Sequence, residues 1–175
     1  GLTLTHADSH KHAHALPQVF AALARTLPEY GVGAVRMMLE KPRFGGTSLK
    51  AAKQRAVGLG VARLCRTNRP ACRQSKLATT DAFFGVAQTG FWTKRWLMEL
   101  IGRLPEGVSE LMCHPGYADA ELSQFETRLH ISRGQELQLL TDPEIKEKLA
   151  AQGVQLVNFS FLKPPLQWRG AFGVW

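Results

Sequence analysis

Short apolar segments alternate with longer stretches of helical periodicity along the chain, and this alternation limits the fold more than any other feature. Residues 2–7, 33–38, 109–113 and 154–159 read as strands. Helical patterning covers 18–27, 48–66, 93–104, 122–140 and 142–151. Pro17 opens the first of these at no cost, because the amide it lacks had no partner there. Ser48 suits an N-cap of the second. In the fourth, Leu122, Phe125, Leu129, Leu137 and Leu140 recur near the helical period. Residues 43–47 and 67–80 read as loops, the latter carrying Pro70, and 162–175 as a tail. Strands alternating with helices predict an α/β fold with a parallel sheet. About four β/α units are visible, whereas a closed barrel needs eight and about 250 residues. The expectation is a single domain over residues 1–175: a small open sheet or part of a TIM-like barrel.

Charge is uneven. Residues 36–76 hold eleven Lys/Arg and one acid, Glu40, whereas from residue 91 onward nine bases face ten acids. Such a basic segment favours an anionic partner, a membrane surface included, or is simply a solvated face. It has no interleaved aromatics, zinc-finger spacing or RNA-binding signature, so nucleic acid is not an expected partner. No apolar run reaches the roughly 18–20 residues of a membrane span. Cys65, Cys72 and Cys113 form no CxxC pair, and an odd, sparse count suits free thiols in a reducing cytoplasm.

Four of six histidines fall within nine residues, His6, His10, His12 and His14, with Asp8 among them. On an extended chain all five would share one face, offering imidazoles and a carboxylate to a divalent metal. On a helix, His10 and His14 would pair instead. The cluster follows a strand, where α/β folds place active sites. The bland alternative is a solvated histidine-rich loop. A second strand end delivers His114-Pro115-Gly116-Tyr117, a tight turn that fixes His114 near the sheet's mouth as an acid/base candidate. Arg133 and Glu136, three apart on a helix, read as a surface ion pair. Ser9 has no base of its own, so serine catalysis is unsupported.

These segments resemble the YdjC-like carbohydrate deacetylase family. Residues 5–14, Thr-His-Ala-Asp-Ser-His-Lys-His-Ala-His, are similar to its Thr-His-x-Asp-Ser-His-x-His-x-His motif, and residues 110–117 to its His-Pro-Gly motif. Arg133-Gly134-Gln135-Glu136-Leu137 and residues 153–159 follow as in the family's C-terminal half. Residues 80–85, 89–90 and 104–107 look most like the branch associated with hopanoid biosynthesis. The resemblance implies a barrel-like fold and a metal-dependent amidohydrolase, using Mg2+ or Zn2+, that removes the acetyl group from N-acetylated sugars or glycolipids. It implies His10 as a metal ligand, with His12 and His14 as weaker ones, His114 as the acid that protonates the departing amine, and Asp8 as an orienting carboxylate. Arg133 and Tyr117 are expected to touch substrate.

The family's Asn-Ala-Asp-Asp-Phe-Gly-like strand and Gly-Leu-His segment, which supply the base and two further ligands, are not found, so the chain is expected to be an incomplete enzyme. The competing expectation is a non-catalytic protein whose basic segment binds an anionic partner. An open half-barrel leaves sheet edges and an apolar face that favour self-association, so a homo-oligomer is expected. A cytoplasmic location is expected, with the inner membrane face as a docking surface.

Overall fold

The computed structural model describes residues 3–41 and 48–162. Helix α1 spans Pro17–Glu29 and α2 Leu49–Gln74; strand β1 is Ala82–Phe84, α3 is Lys94–Ile101, β2 is Ser109–Leu111, α4 is Ile131–Leu140 and α5 is Pro143–Ala151. Short pieces of tighter helix occupy His10–Ala15, which is kinked at Lys11 and His12, and Leu122–Gln124 and Phe159–Phe161.

The extended segments run parallel, side by side and in chain order. Ala7 pairs with Val35, Ala34 with Ala78, and Ala82–Phe84 with Ser109–Leu111. Hydrogen bonds join the first two segments through Ala7 N–H to the Ala34 carbonyl at 3.1 Å and Arg36 N–H to the Ala7 carbonyl at 3.0 Å. The next junction uses Val35 N–H to the Ala78 carbonyl at 2.9 Å. Helices between parallel neighbours are what this pairing requires. The result is an α/β fold around a small parallel sheet.

One side of the sheet packs on helices. Val35 and Met37 join Phe20, Ala24 and Leu27 of α1 and Cys65 and Cys72 of α2 in the main core. A second core gathers Trp92, Trp96, Leu97, Leu100 and Ile101 with Ile145 of α5. On the other side, Ala34 and Ala78 pack with Val108, Phe159 and Leu162, so the chain's own late segment covers a face that an open sheet would leave bare. Leu162, placed in the expected tail, is 5% exposed and belongs to this packing.

The structure corrects four expectations. Helix α2 runs through residues 67–74 instead of ending near residue 66. Pro70 costs roughly 3 kcal/mol inside a helix, but Cys65, Asn68 and Cys72 bury on one side of the same turns. The Asn68 amide also donates to the Ala15 carbonyl at 2.8 Å. The third parallel segment is residues 77–84, not 109–113, which lies fourth. The stretch 122–140 is not one helix, and Phe125 is 63% exposed. Side chains there satisfy the backbone locally and compete with a helix: Asp119 accepts from Leu122 N–H at 2.9 Å and Thr127 from Leu129 N–H at 3.2 Å. Residues 154–159 form no strand, and Asn158 turns the chain by accepting from Ser160 N–H at 3.0 Å. The expected loop 43–47 and the tail beyond Leu162 lie outside the described residues. The expected cap at Ser48 is present, accepting from Ala51 N–H at 3.2 Å, and Thr93 caps α3 by accepting from Trp96 N–H at 3.1 Å.

Candidate active site

Parallel strands end on one rim, so Asp8, Arg36 and His114 emerge at the same edge of the sheet. Arg36 is the hub. Its Nη1 donates to Asp8 Oδ2, and its Nε donates to Glu110 Oε1 at 2.5 Å. The guanidinium fork therefore joins the first and last strands through a middle one. Burial pushes the Glu110 carboxyl up, and the Arg36 charge and hydrogen bond pull it back. Glu110 Oε2 is buried without a partner.

The histidine cluster does not lie along an extended strand. Lys11 and His12 adopt left-handed backbone, φ 51° and 59°, and fold residues 10–15 into a turn. The side chains therefore point in different directions. His14 is fully buried and doubly bonded: its Nδ1 lies 2.7 Å from Ser9 Oγ and its Nε2 3.1 Å from the Arg36 carbonyl. A carbonyl only accepts, so Nε2 carries the proton and the Ser9 hydroxyl donates to Nδ1. Ser9 thus orients a histidine instead of acting as a nucleophile. His10 is exposed at the start of the turn, and His6 stacks flat on Phe159 at 3.7 Å.

His12 is the imidazole with spare capacity, its Nδ1 buried and unpartnered. Burial, then the neighbouring His14, Arg36 and His114, pull it down to about 4. A lowered imidazole favours folding above its unfolded value of about 6.5 and loses that contribution as pH falls toward the folded value. Substituting His12→Asn, a residue tolerant of left-handed backbone, should therefore flatten the acid limb of stability. In urea unfolding with a chelator present, wild type should lose about 1–2 kcal/mol more than the variant between pH 7 and pH 4. Equal losses would refute this assignment.

His114 is gripped by α4. Its backbone N–H donates to Glu136 Oε2 at 2.5 Å, Arg133 Nη1 donates to its carbonyl at 3.5 Å, and Gly116 N–H donates to the Arg133 carbonyl at 3.3 Å. Glu136, expected on the surface in a pair with Arg133, is 1% exposed beneath the turn. The two residues share a task instead of a salt bridge. Burial lowers the His114 imidazole, Glu136 opposes this, and Arg133, Arg128 and Arg36 add to it. Tyr117 stands on the same turn, 78% exposed.

A buried frame holds this rim. Glu40, 3% exposed, accepts from Gly85 N–H at 2.9 Å and Ala87 N–H at 2.8 Å, pinning the loop after β1. Burial raises its carboxyl against those hydrogen bonds. Gln54 of α2 donates to the Val86 carbonyl at 2.5 Å and accepts from Arg128 Nη1 at 2.8 Å, which fixes a second arginine near His114. Sequence reasoning passed over Arg36, Glu40, Gln54 and Glu110. A lone acid inside a strongly basic segment and charges flanked by apolar strand residues were the available signals.

Among the described residues no three His, Cys, Asp or Glu side chains converge to hold an ion. His14 has both ring nitrogens engaged, its ring lies 6.5 Å from that of His12, and His10 is exposed. These side chains do not by themselves fit a catalytic metal.

The family model described as YdjC-like protein matches residues 1–151. The chain belongs to this family. It is 35% identical to a carbohydrate deacetylase of Homo sapiens across 89% of this chain and 52% of that protein. It is 32% identical to a carbohydrate deacetylase of Geobacillus stearothermophilus across 91% of this chain and 52% of that one. The chain therefore spans about half the length of these curated relatives. Among solved structures, an Enterococcus faecalis V583 protein described as a cellobiose-phosphate cleavage protein superposes with a TM-score of 0.56 at 20% identity. That match covers 90% of this chain and 53% of the other, and it shows the fold alone.

Proposed function

We propose that this chain forms part of a carbohydrate deacetylase that hydrolyses the N-acetyl amide of an amino sugar, in an N-acetylglucosamine-containing oligosaccharide or a glycolipid. The observation that carries the reading is His114, clamped at a strand end on the rim that also presents Asp8 and Arg36, in a chain similar to proteins named carbohydrate deacetylases. Amide hydrolysis needs a proton delivered to a poor amine leaving group. An imidazole lowered by burial is neutral near pH 7, accepts a proton less readily than a free histidine, and gives it up more readily once charged, which suits the delivery of a proton to the departing amine. Half-exposed Asp8, held by Arg36, faces the same opening and is suited to orient substrate or water, with Arg133 and Tyr117 flanking.

Dependence on a divalent ion, Mg2+ or Zn2+, belongs to this proposal. Holding such an ion would require donors beyond the side chains of this rim. The same reading places the parallel sheet as part of a TIM-like barrel, the enzyme in a reducing compartment that leaves Cys65, Cys72 and Cys113 as thiols, and the sugar on a hopanoid-type lipid. Docking on an anionic membrane face by the basic segment of residues 36–76 belongs to the same proposal. Among the described residues no helix is long and apolar enough to cross a membrane.

One assay tests the reading: release of acetate and of a new primary amine from N,N′-diacetylchitobiose, free in solution and as a lipid-linked N-acetylglucosamine in anionic vesicles. It is run with EDTA and with Mg2+ or Zn2+ restored. Acetate release that EDTA abolishes and metal restores is expected from a protein that carries this chain together with the further donors the ion requires. Absence of release from both substrates by such a protein under every metal condition would overturn the reading.

A further inference from the structure

Glu136 presents a problem that the reaction alone does not explain. A carboxylate that is 1% exposed is costly to bury, yet one oxygen, Oε1, has no hydrogen-bond partner and the other accepts only a backbone amide, that of His114. A neutral glutamine would serve that amide as well and would be cheaper to bury. One helical turn away, Arg133 donates to the carbonyl of the same residue and leaves its own Nε buried and unpartnered. One cation and one anion, three residues apart on α4, therefore hold the two ends of a single residue. Both carry more polar capacity into the protein than the hydrogen bonds require.

We propose that Glu136 and Arg133 are positioning residues that grip the main chain of His114 from both sides and set the electric field around its imidazole. The proposal rests on the reading of His114 as the proton-transferring group. The field matters because the other charges facing that ring have one sign. Arg128 comes from the preceding loop, tied to α2 through Gln54, and Arg36 comes from the second extended segment. His12 from the histidine turn adds to them if protonated, and Cys113 is the thiol next in the chain. Glu136 is the anion that opposes these cations at His114. A ring facing three guanidinium groups with no buried anion beneath it would be held too reluctant to accept a proton. The clamp thus joins geometry to proton affinity: the residue that aims the ring also keeps it able to take a proton.

The clamp predicts shifts of opposite sign from two neighbours on one helix, which a merely structural role would not give. The probe is the His114 imidazole itself, followed by NMR titration of the full chain with labelled histidine, in EDTA and without substrate. Glu136→Gln keeps the shape and the acceptor for the His114 amide, and should move the ring's titration midpoint downward. Arg133→Met should move it upward. The His114 amide proton should also lose low-field shift in Glu136→Gln, as a charged acceptor becomes neutral. Unmoved midpoints, or midpoints moving the same way, would overturn the proposal. If Glu136→Gln does not fold, Arg133→Met decides alone, and a midpoint that fails to rise refutes it. Because no turnover is measured, opposed shifts in a chain that releases no acetate would uphold the clamp and count only against the deacetylase reading.

Discussion

Substituting Gly85→Ala is expected to lower the melting temperature by about 10 °C, from a loss of roughly 3–5 kcal/mol. Gly85 follows β1 at φ 122°, a backbone conformation that side-chain-bearing residues rarely adopt. A Cβ there would lie 2.4 Å from the carbonyl oxygen of Met112 and 3.2 Å from that residue's Cβ. The obstacle is backbone, so no side-chain rotation relieves it. Met112 in turn donates its N–H to the Phe84 carbonyl at 2.9 Å, the bond that closes the β1–β2 ladder just before His114. Gly85 N–H also donates to buried Glu40, so displacing the glycine would loosen that carboxylate and strand a buried acceptor. Gly60→Ala is the matched control. Nothing lies within 4 Å of the position a Cβ would take there, and it sits within α2. Alanine should stabilise that helix by about 0.5–1 kcal/mol. Thermal unfolding of both variants should give shifts of opposite sign. A Gly85→Ala protein as stable as wild type would show that the β1–β2 junction does not have this close approach.

Features that depend on local chemistry were legible in the sequence. Ser48 caps its helix, Pro17 and Pro143 begin theirs, and the strand leading to His114 falls where its apolar run predicts. What failed were inferences that ran against tertiary burial. Pro70 reads as a helix terminator, but Cys65, Asn68 and Cys72 gain enough by burial to carry the helix past it. Ala78 to Phe84 reads weakly because a strand of three to seven residues covered on both sides needs little periodicity. The strand at 109–113 instead occupied attention as the third. The motif residues fall at strand ends on one edge of the sheet, but their spacing could not reveal its wiring. Lys11 and His12 turn left-handed, so the alternation rule that put five side chains on one face did not apply. Arg36 and Glu110 were invisible because a charge in a strand gives no sign of its partner, which here lies two strands away. Glu136 was misread for a similar reason: spacing on a helix says which residues are neighbours, not which side meets the sheet.

Arg36→Met should cost roughly 3–5 kcal/mol at pH 7, most of it through Glu110. The two ends of the Arg36 fork are not equal. Asp8 is 41% exposed, and water would replace its partner at little cost, whereas Glu110 is 9% exposed and would keep its burial without a countercharge. Methionine preserves much of the side-chain volume, so the loss reports the charge more than a cavity. The pH dependence identifies the cause. The Glu110 carboxyl is already raised by burial, with Arg36 opposing that rise and Asp8 adding to it. Removing Arg36 leaves both raising influences unopposed, so the native state holds the Glu110 proton to higher pH than the unfolded chain does. A carboxyl raised on folding contributes stability below its unfolded value of about 4.3, and that contribution is lost as pH rises through the folded value. The deficit of Arg36→Met relative to wild type should therefore be small near pH 5 and large near pH 8. Adding Glu110→Gln to Arg36→Met should recover most of the loss, because a neutral amide needs no cation. Urea unfolding at pH 5, 7 and 8 for the single and double variants measures all three effects. A deficit that is the same at every pH, or a double variant no more stable than the single one, would mean that Arg36 acts through packing and does not join the strands by charge.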